Sequence, residues 1–166
     1  MGSVIVDSKF TVRPAKPNDR LNLEQIVDLS FSRFLGYFAK HSLHDEGQVL
    51  VTETETTVVG FAKLIEFYVY EDMFGCVLWV AVHPKFRRKG VASALVEAGT
   101  KWLKQEGAKS VFASIQRRNT ASLSVFDKQG FRRRGFLDLY RLFSWRVFVF
   151  YWAIWLAPGE VVLMHS

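Results

Sequence analysis

Arg87-Arg88-Lys89-Gly90-Val91-Ala92 is the stretch of this chain with the clearest chemistry. It follows an apolar run, Phe74 to His83. It also opens a segment in which Val91, Leu95, Ala98 and Trp102 recur at helical spacing. At the start of a helix the first backbone N–H groups have no partner within the helix, and the macrodipole adds positive potential. Gly90 lets a ligand approach the backbone, small Ala92 leaves the first turn uncrowded, and Lys85, Arg87, Arg88 and Lys89 raise the potential further. The arrangement suits an anion, and a diphosphate in particular. The hexapeptide alone is a weak pattern; the order strand, basic loop, glycine, helix makes it specific.

No other grouping is as sharp. A single cysteine, Cys76, excludes an intrachain disulfide, and its default role is a small buried apolar residue. Cys, His and carboxylates do not cluster at ligand spacing, so no metal is expected.

The elements around the loop follow from patterning. The 166 residues are 49% hydrophobic and 23% charged, which excludes disorder and suits one domain over residues 1–166. Phe10 to Pro14 reads as a first strand, Asn18 or Asp19 as the cap of a helix carrying Leu23, Ile26, Val27, Ser30 and Phe31, and Leu35 to Ser42 as a second helix. Gln48 to Glu53 and Thr57 to Tyr70 are β-rich, with a Thr/Glu turn between them. Phe74 to His83 is apolar in both phases, as a central strand is. A helix from Gly90 to Glu106, a strand from Val111 to Gln116 and a short helix capped by Asn119 and stopped by Gly130 follow. Phe131 to Phe143 and Arg146 to Leu156 read as two closing antiparallel strands. The fold class expected is α/β, a central mixed sheet flanked by helices on both faces.

Charge is divided along the chain. Pro84 to Arg146 carries 15 Lys and Arg against 4 Asp and Glu, while the remainder is net acidic and the whole is +6. One half of the sequence therefore suits a negative partner. No helix-turn-helix, RNA-binding signature or zinc spacing accompanies Arg132, Arg133 and Arg134, so nucleic acid is not the expected partner. The longest apolar run, Val147 to Ala157, has eleven residues, too few for a membrane span. Met1 to Val6 lacks the pattern of a secretory leader or a myristoylation signal, and a cytoplasmic protein is expected.

The chain from Phe10 to Tyr140 resembles the GNAT family of N-acetyltransferases. Val80 to Ala92 is similar to that family's central strand and pyrophosphate loop, and Asn119 to Phe131 (NTASLSVFDKQGF) to its second signature. The resemblance implies acetyl-CoA as co-substrate. Backbone amides of Arg88, Lys89, Gly90, Val91, Ala92 and Ser93 would hold the pyrophosphate after Arg87, and the backbone of Val80, Ala81 and Val82 would pair with the pantetheine arm. The Val82 amide would polarise the thioester carbonyl. Asn119 would either contact the coenzyme or simply cap its helix, and Arg117 and Arg118 would meet the 3′-phosphate. His83 has a structural role at its family position.

One departure matters. The family often has Tyr where this chain has Phe126, and that hydroxyl is commonly the acid for the departing thiolate. Phe126 can pack against pantetheine but cannot donate a proton, which leaves Tyr140, Tyr68 or water for the role, or a protein that binds acyl-CoA with little turnover. Glu66 is the leading candidate base, with Glu71 and Asp72 behind it. The reading is transfer of an acetyl group to a primary amine by direct attack in a ternary complex. Protein N-terminus, lysine, polyamine and small molecule all remain open as acceptors. The aromatic strand over residues 143–166 is expected in a homodimer interface, by strand exchange, with contact to a membrane surface as the alternative.

Overall fold

The computed structural model describes residues 4–7, 10–55 and 57–166, with the backbone alone for residues 4–7. The leader reading of Met1 to Val6 and residue Thr56 of the Thr/Glu turn lie, wholly or in part, outside the described residues. The chain divides into two compact units.

The first unit comprises Met1–Ile65 and Trp79–Gly99. It holds β1 (Val4–Asp7), β2 (Phe10–Pro14), α1 (Arg20–Ser30), α2 (Arg33–Ser42) and β3 (Gln48–Glu53). It also holds β4 (Val58–Val69) as far as Ile65, β5 (Asp72–Val82) from Trp79 onward and α3 (Val91–Gln105) as far as Gly99. β2 and β3 pair antiparallel with Val12 opposite Thr52, and β3 and β4 with Leu50 opposite Ala62. Leu23, Ile26 and Val27 of α1 meet Ala39, Val51, Val58, Phe61 and Ala81 in one apolar cluster, which is the face the 3.6-residue spacing predicts. Asp19 does not cap α1 with its side chain. Its carboxylate instead takes two hydrogen bonds from the Arg13 guanidinium (2.7 and 3.1 Å) and one from the Lys16 amide (2.7 Å). Arg13 also reaches Glu53 at 2.8 Å, so one arginine ties the turn before α1 to β2 and β3. These bonds hold the Asp19 carboxyl below the usual carboxylate range.

The second unit comprises Glu66–Leu78 and Thr100–Ser166. It adds β6 (Val111–Gln116), α4 (Thr120–Lys128), β7 (Arg132–Arg134), α5 (Phe136–Phe143), α6 (Val147–Ala153) and β8 (Glu160–His165). β6 runs parallel to β5 at Gly75 and Cys76 and antiparallel to β8, which also pairs with β7. The sheet is therefore mixed, as expected. A cluster of phenylalanines packs within this unit: Phe112, Phe143 and Phe150 are buried and Phe67 and Phe74 half-buried against them, with Phe112–Phe150 and Phe143–Phe150 centroids 4.7 and 4.8 Å apart. Centroid separations of this size carry attraction beyond the area buried.

Two expected strands are not there. Phe131 to Phe143 contains only the three-residue β7; the rest is α5, started by Asp138, whose carboxylate accepts the Gly135 amide at 3.0 Å. Arg146 to Leu156 carries α6 (Val147–Ala153) and no strand. Val147, Phe150 and Ile154 are fully buried at steps of three and four while Trp152 is 82% exposed, and only a helix buries residues at that period. An apolar run reads alike for a buried strand and for a helix with two apolar faces. Of residues 143–166 only β8 is a strand, and it pairs with β6 and β7, so the strand expected of the aromatic run is a helix followed by a turn.

Two outcomes test these cores. Phe112→Ala should cost about 3–5 kcal/mol in urea unfolding. Asp19→Asn should lower stability near neutral pH by about 1–3 kcal/mol. Because the folded carboxyl is held below its unfolded value of 3.8, the wild-type advantage is complete above that pH and is lost as pH falls through the folded value; unfolding curves of both proteins against pH check it.

Candidate functional site

Val82 closes β5 and the loop to α3 follows. His83 donates its amide to the Val59 carbonyl at 2.8 Å and takes the Lys85 amide on its ring Nδ1 at 3.3 Å, so it is structural, starting the short turn Pro84–Phe86. Strand alternation then turns the N–H and C=O groups of Val80 and Val82 away from β4, to the opposite edge. The Val82 carbonyl is held there by Arg87 Nε (3.1 Å) and Ser30 Oγ (3.4 Å), and Arg87 Nη2 reaches Ser30 Oγ at 3.3 Å. The Arg87 guanidinium thus braces the strand end, a positioning role. Ser30 was seen in the sequence only as a helix position. It lies 52 residues from Val82, and no local pattern announces the contact.

The loop itself is a row of free amides. The first backbone bond into α3 runs from the Ala94 amide to the Gly90 carbonyl at 3.0 Å. Among the described residues, the amides of Arg88, Lys89, Gly90, Val91, Ala92 and Ser93 have no acceptor. Arg88 and Gly90 both take positive φ, 61° and 84°, which curls successive N–H groups toward one side as an anion nest does. A Cβ on Gly90 would meet nothing within 4 Å, so the space over the nest is open. Arg88, Lys89 and Gly90 are exposed while Val91 is buried, which turns the charges outward and anchors the helix start. Lys89 also stands 5.2 Å from the Phe86 ring centroid.

What anchors that start is a glycine on β4. A Cβ at Gly60 would lie 3.0 Å from the Ala81 carbonyl and from Val91 Cγ1, and 3.2 Å from Leu95 Cδ1. Of the stripe expected on α3, Val91 and Leu95 are buried; Ala98 and Trp102 are half-buried.

The remaining candidates belong to the second unit. Asn119 caps α4, its Oδ1 accepting the Ser122 amide at 3.1 Å. Phe126 is buried edge-on against Phe131 at 4.9 Å. Arg117 and Arg118 are exposed before α4. Glu66 and Tyr68 are exposed on β4, and Tyr140 is exposed on α5, on a helix and not on the strand expected; none of the three side chains has a hydrogen-bond partner among the described residues. Glu71 and Asp72 sit at the β4–β5 turn, where Asp72 pairs with Lys109. Cys76 is wholly buried, and desolvation, with Glu160 secondary, pushes its thiol pKa far up. That state is inert, not nucleophilic. Among the described residues no group of His, Cys, Asp and Glu is placed to hold a metal ion, and no helix is long and apolar enough to cross a membrane.

Residues 17–131 match the sequence pattern of the acetyltransferase (GNAT) family. The chain belongs to that family. Solved structures agree on the fold. A putative GNAT acetyltransferase from Desulfovibrio desulfuricans superposes with a TM-score of 0.72 at 15% identity, over 95% of this chain and 98% of that one. The PaiA N-acetyltransferase of Thermoplasma acidophilum, solved with coenzyme A, gives 0.68 at 13% identity over 95% and 98%. YncA, a putative acetyltransferase of Salmonella typhimurium solved with acetyl-CoA, gives 0.64 at 16% over 96% and 94%. Members of the family are acetyltransferases, and the matched span runs from α1 through the free-amide loop to Phe131.

The Arg87 brace predicts a coupled pair. Arg87→Ala and Ser30→Ala should each cost about 1 kcal/mol of stability. The double variant should cost less than their sum, read as the interaction energy of a double-mutant cycle in denaturant unfolding.

Proposed function

We propose that this protein is an N-acetyltransferase that moves an acetyl group from acetyl-CoA to a primary amine by direct attack, with both substrates bound together. The observation that carries this reading is the row of six amides from Arg88 to Ser93, without an acceptor among the described residues, opening onto empty space over Gly90 beside exposed Lys85, Arg88 and Lys89. Acetyl-CoA supplies the activated thioester and a pyrophosphate that suits this donor set. In this reading the amides of Arg88 to Ser93 hold the pyrophosphate. The outward edge groups of Val80 and Val82, either side of Ala81, pair with the pantetheine arm, and the Val82 amide donates to the thioester carbonyl oxygen. An attacking amine must be neutral, and Glu66, exposed and unpaired among the described residues, is the candidate to take its proton. Tyr140 is the candidate donor to the leaving thiolate, because Phe126 has no hydroxyl.

A second reading, an acyl-CoA-binding module with little turnover, is favoured by one observation. The position where the family often carries its acid is filled by a buried Phe126 packed on Phe131.

Acetyl-CoA and CoA at about 100 times their dissociation constants should each stabilise the fold by about 2.7 kcal/mol, several degrees in thermal midpoint, while AMP should not. Gly90→Ala should fold with a cost of about 1–2 kcal/mol for its positive φ and lose most of the coenzyme-induced shift. Thiol release with a panel of amines then decides between the readings. Turnover supports the transferase, a shift without turnover supports the binding module, and no shift with either coenzyme species overturns both.

A further inference from the structure

The outer side of α6 is as apolar as its inner side. Val147 and Phe150, with Ile154 at its end, are buried, while Phe148 and Trp152 on the helix and Trp145 and Trp155 on the turns that flank it are 46–82% exposed. A helix that is apolar all round is ordinarily covered all round. α5 extends the surface with Leu137 and Leu142, exposed by 69% and 53%. Large exposed apolar side chains gathered on one surface mark a place where something binds.

The charges say what binds. Between residues 128 and 146 stand Lys128, Arg132, Arg133, Arg134, Arg141 and Arg146 against one carboxylate, Asp138, which is occupied at the start of α5. Arg132 pairs with Asp127, but Arg133 and Arg141 are exposed with no carboxylate partner among the described residues. Leu137 and Arg141 are one helical turn apart and share a side of α5. A second copy docked here would bring together two surfaces of the same positive sign, with few carboxylates between them to offset it. Nucleic acid would use the arginines and the indoles but would gain nothing from Leu137, Leu142 or Val149. A lipid interface uses all of them: indoles at the boundary of headgroups and chains, leucines below it, arginines at anionic headgroups.

We propose that the outer face of α5 and α6 seats this protein on an anionic lipid bilayer. Trp145, Phe148, Trp152 and Trp155 enter the interface, and Arg133 and Arg141 meet the headgroups. In this arrangement α5 and α6 lie along the bilayer surface.

Flotation with phosphatidylcholine vesicles, with and without phosphatidylglycerol, tests this on the whole chain. The protein should float with the anionic vesicles, more weakly at high salt, with tryptophan emission shifted to the blue. Arg133→Gln and Arg141→Gln should each reduce partitioning about five-fold. Trp152→Ser combined with Trp145→Ser should abolish it while the thermal midpoint stays unchanged, since both side chains are exposed. The proposal is overturned if the chain stays in the aqueous phase with both vesicle types. It is equally overturned if, without floating, it forms a dimer that Trp152→Ser dissociates, or binds an oligonucleotide through the same arginines. None of these outcomes depends on whether the protein transfers acetyl groups.

Discussion

The candidate site depends on a close approach between a helix and a strand, made at Gly60. A Cβ on residue 60 would press on Val91 and Leu95, in the first two turns of α3, at 3.0 and 3.2 Å, closer than side chains ordinarily pack. Because that contact fixes the height of the helix start over the sheet, the amides of Arg88 to Ser93 come free at one place and not a turn further along. The left-handed Arg88 and Gly90 bend the chain into that start. Arg87, tied to Val82 and Ser30, keeps the strand end from drifting relative to it. Close packing, backbone conformation and a side-chain brace therefore hold one short loop from three directions, which is the preorganisation an anion site needs.

Much of this was legible in the sequence, because the signals were local. The loop, its glycine and the helix it opens are contiguous, and free amides at a helix start follow from helix geometry itself. Asn119 as an N-cap, Gly130 as a left-handed stop (φ 84°) and His83 as a structural residue are likewise consequences of neighbouring residues. Gly60 and Ser30 were not legible as parts of the site. Their roles come from partners 21 or more residues away, and a glycine in a strand or a serine at a helix end has many other uses. Lys63 was missed for the same reason: its buried amine donates to the Asp45 carbonyl at 2.9 Å, closing the loop after α2 from a position that reads as an ordinary strand lysine.

The closing third of the chain shows a different limit. Its aromatic run satisfies both the period of a strand and that of a helix, so patterning could not choose between them. Two punctuation signals were available. Asp138 three residues after Gly135 is a helix start. Pro158-Gly159 is a turn, with Gly159 at φ 86° and the Glu160 amide bonded to the Ala157 carbonyl at 3.2 Å, and it separates the helices from the true last strand. That α6 is apolar on both its buried and its exposed side is visible only once those boundaries are known.

The burial of Cys76 has a practical side. It is the only cysteine in the sequence, it has no exposed surface, and its ionisation is suppressed. To a maleimide or a disulfide dye the folded molecule behaves as if it had no cysteine at all. A cysteine introduced at any exposed position would then be the single attachment point for a spin label or a fluorophore, with no background mutation needed to clear the way.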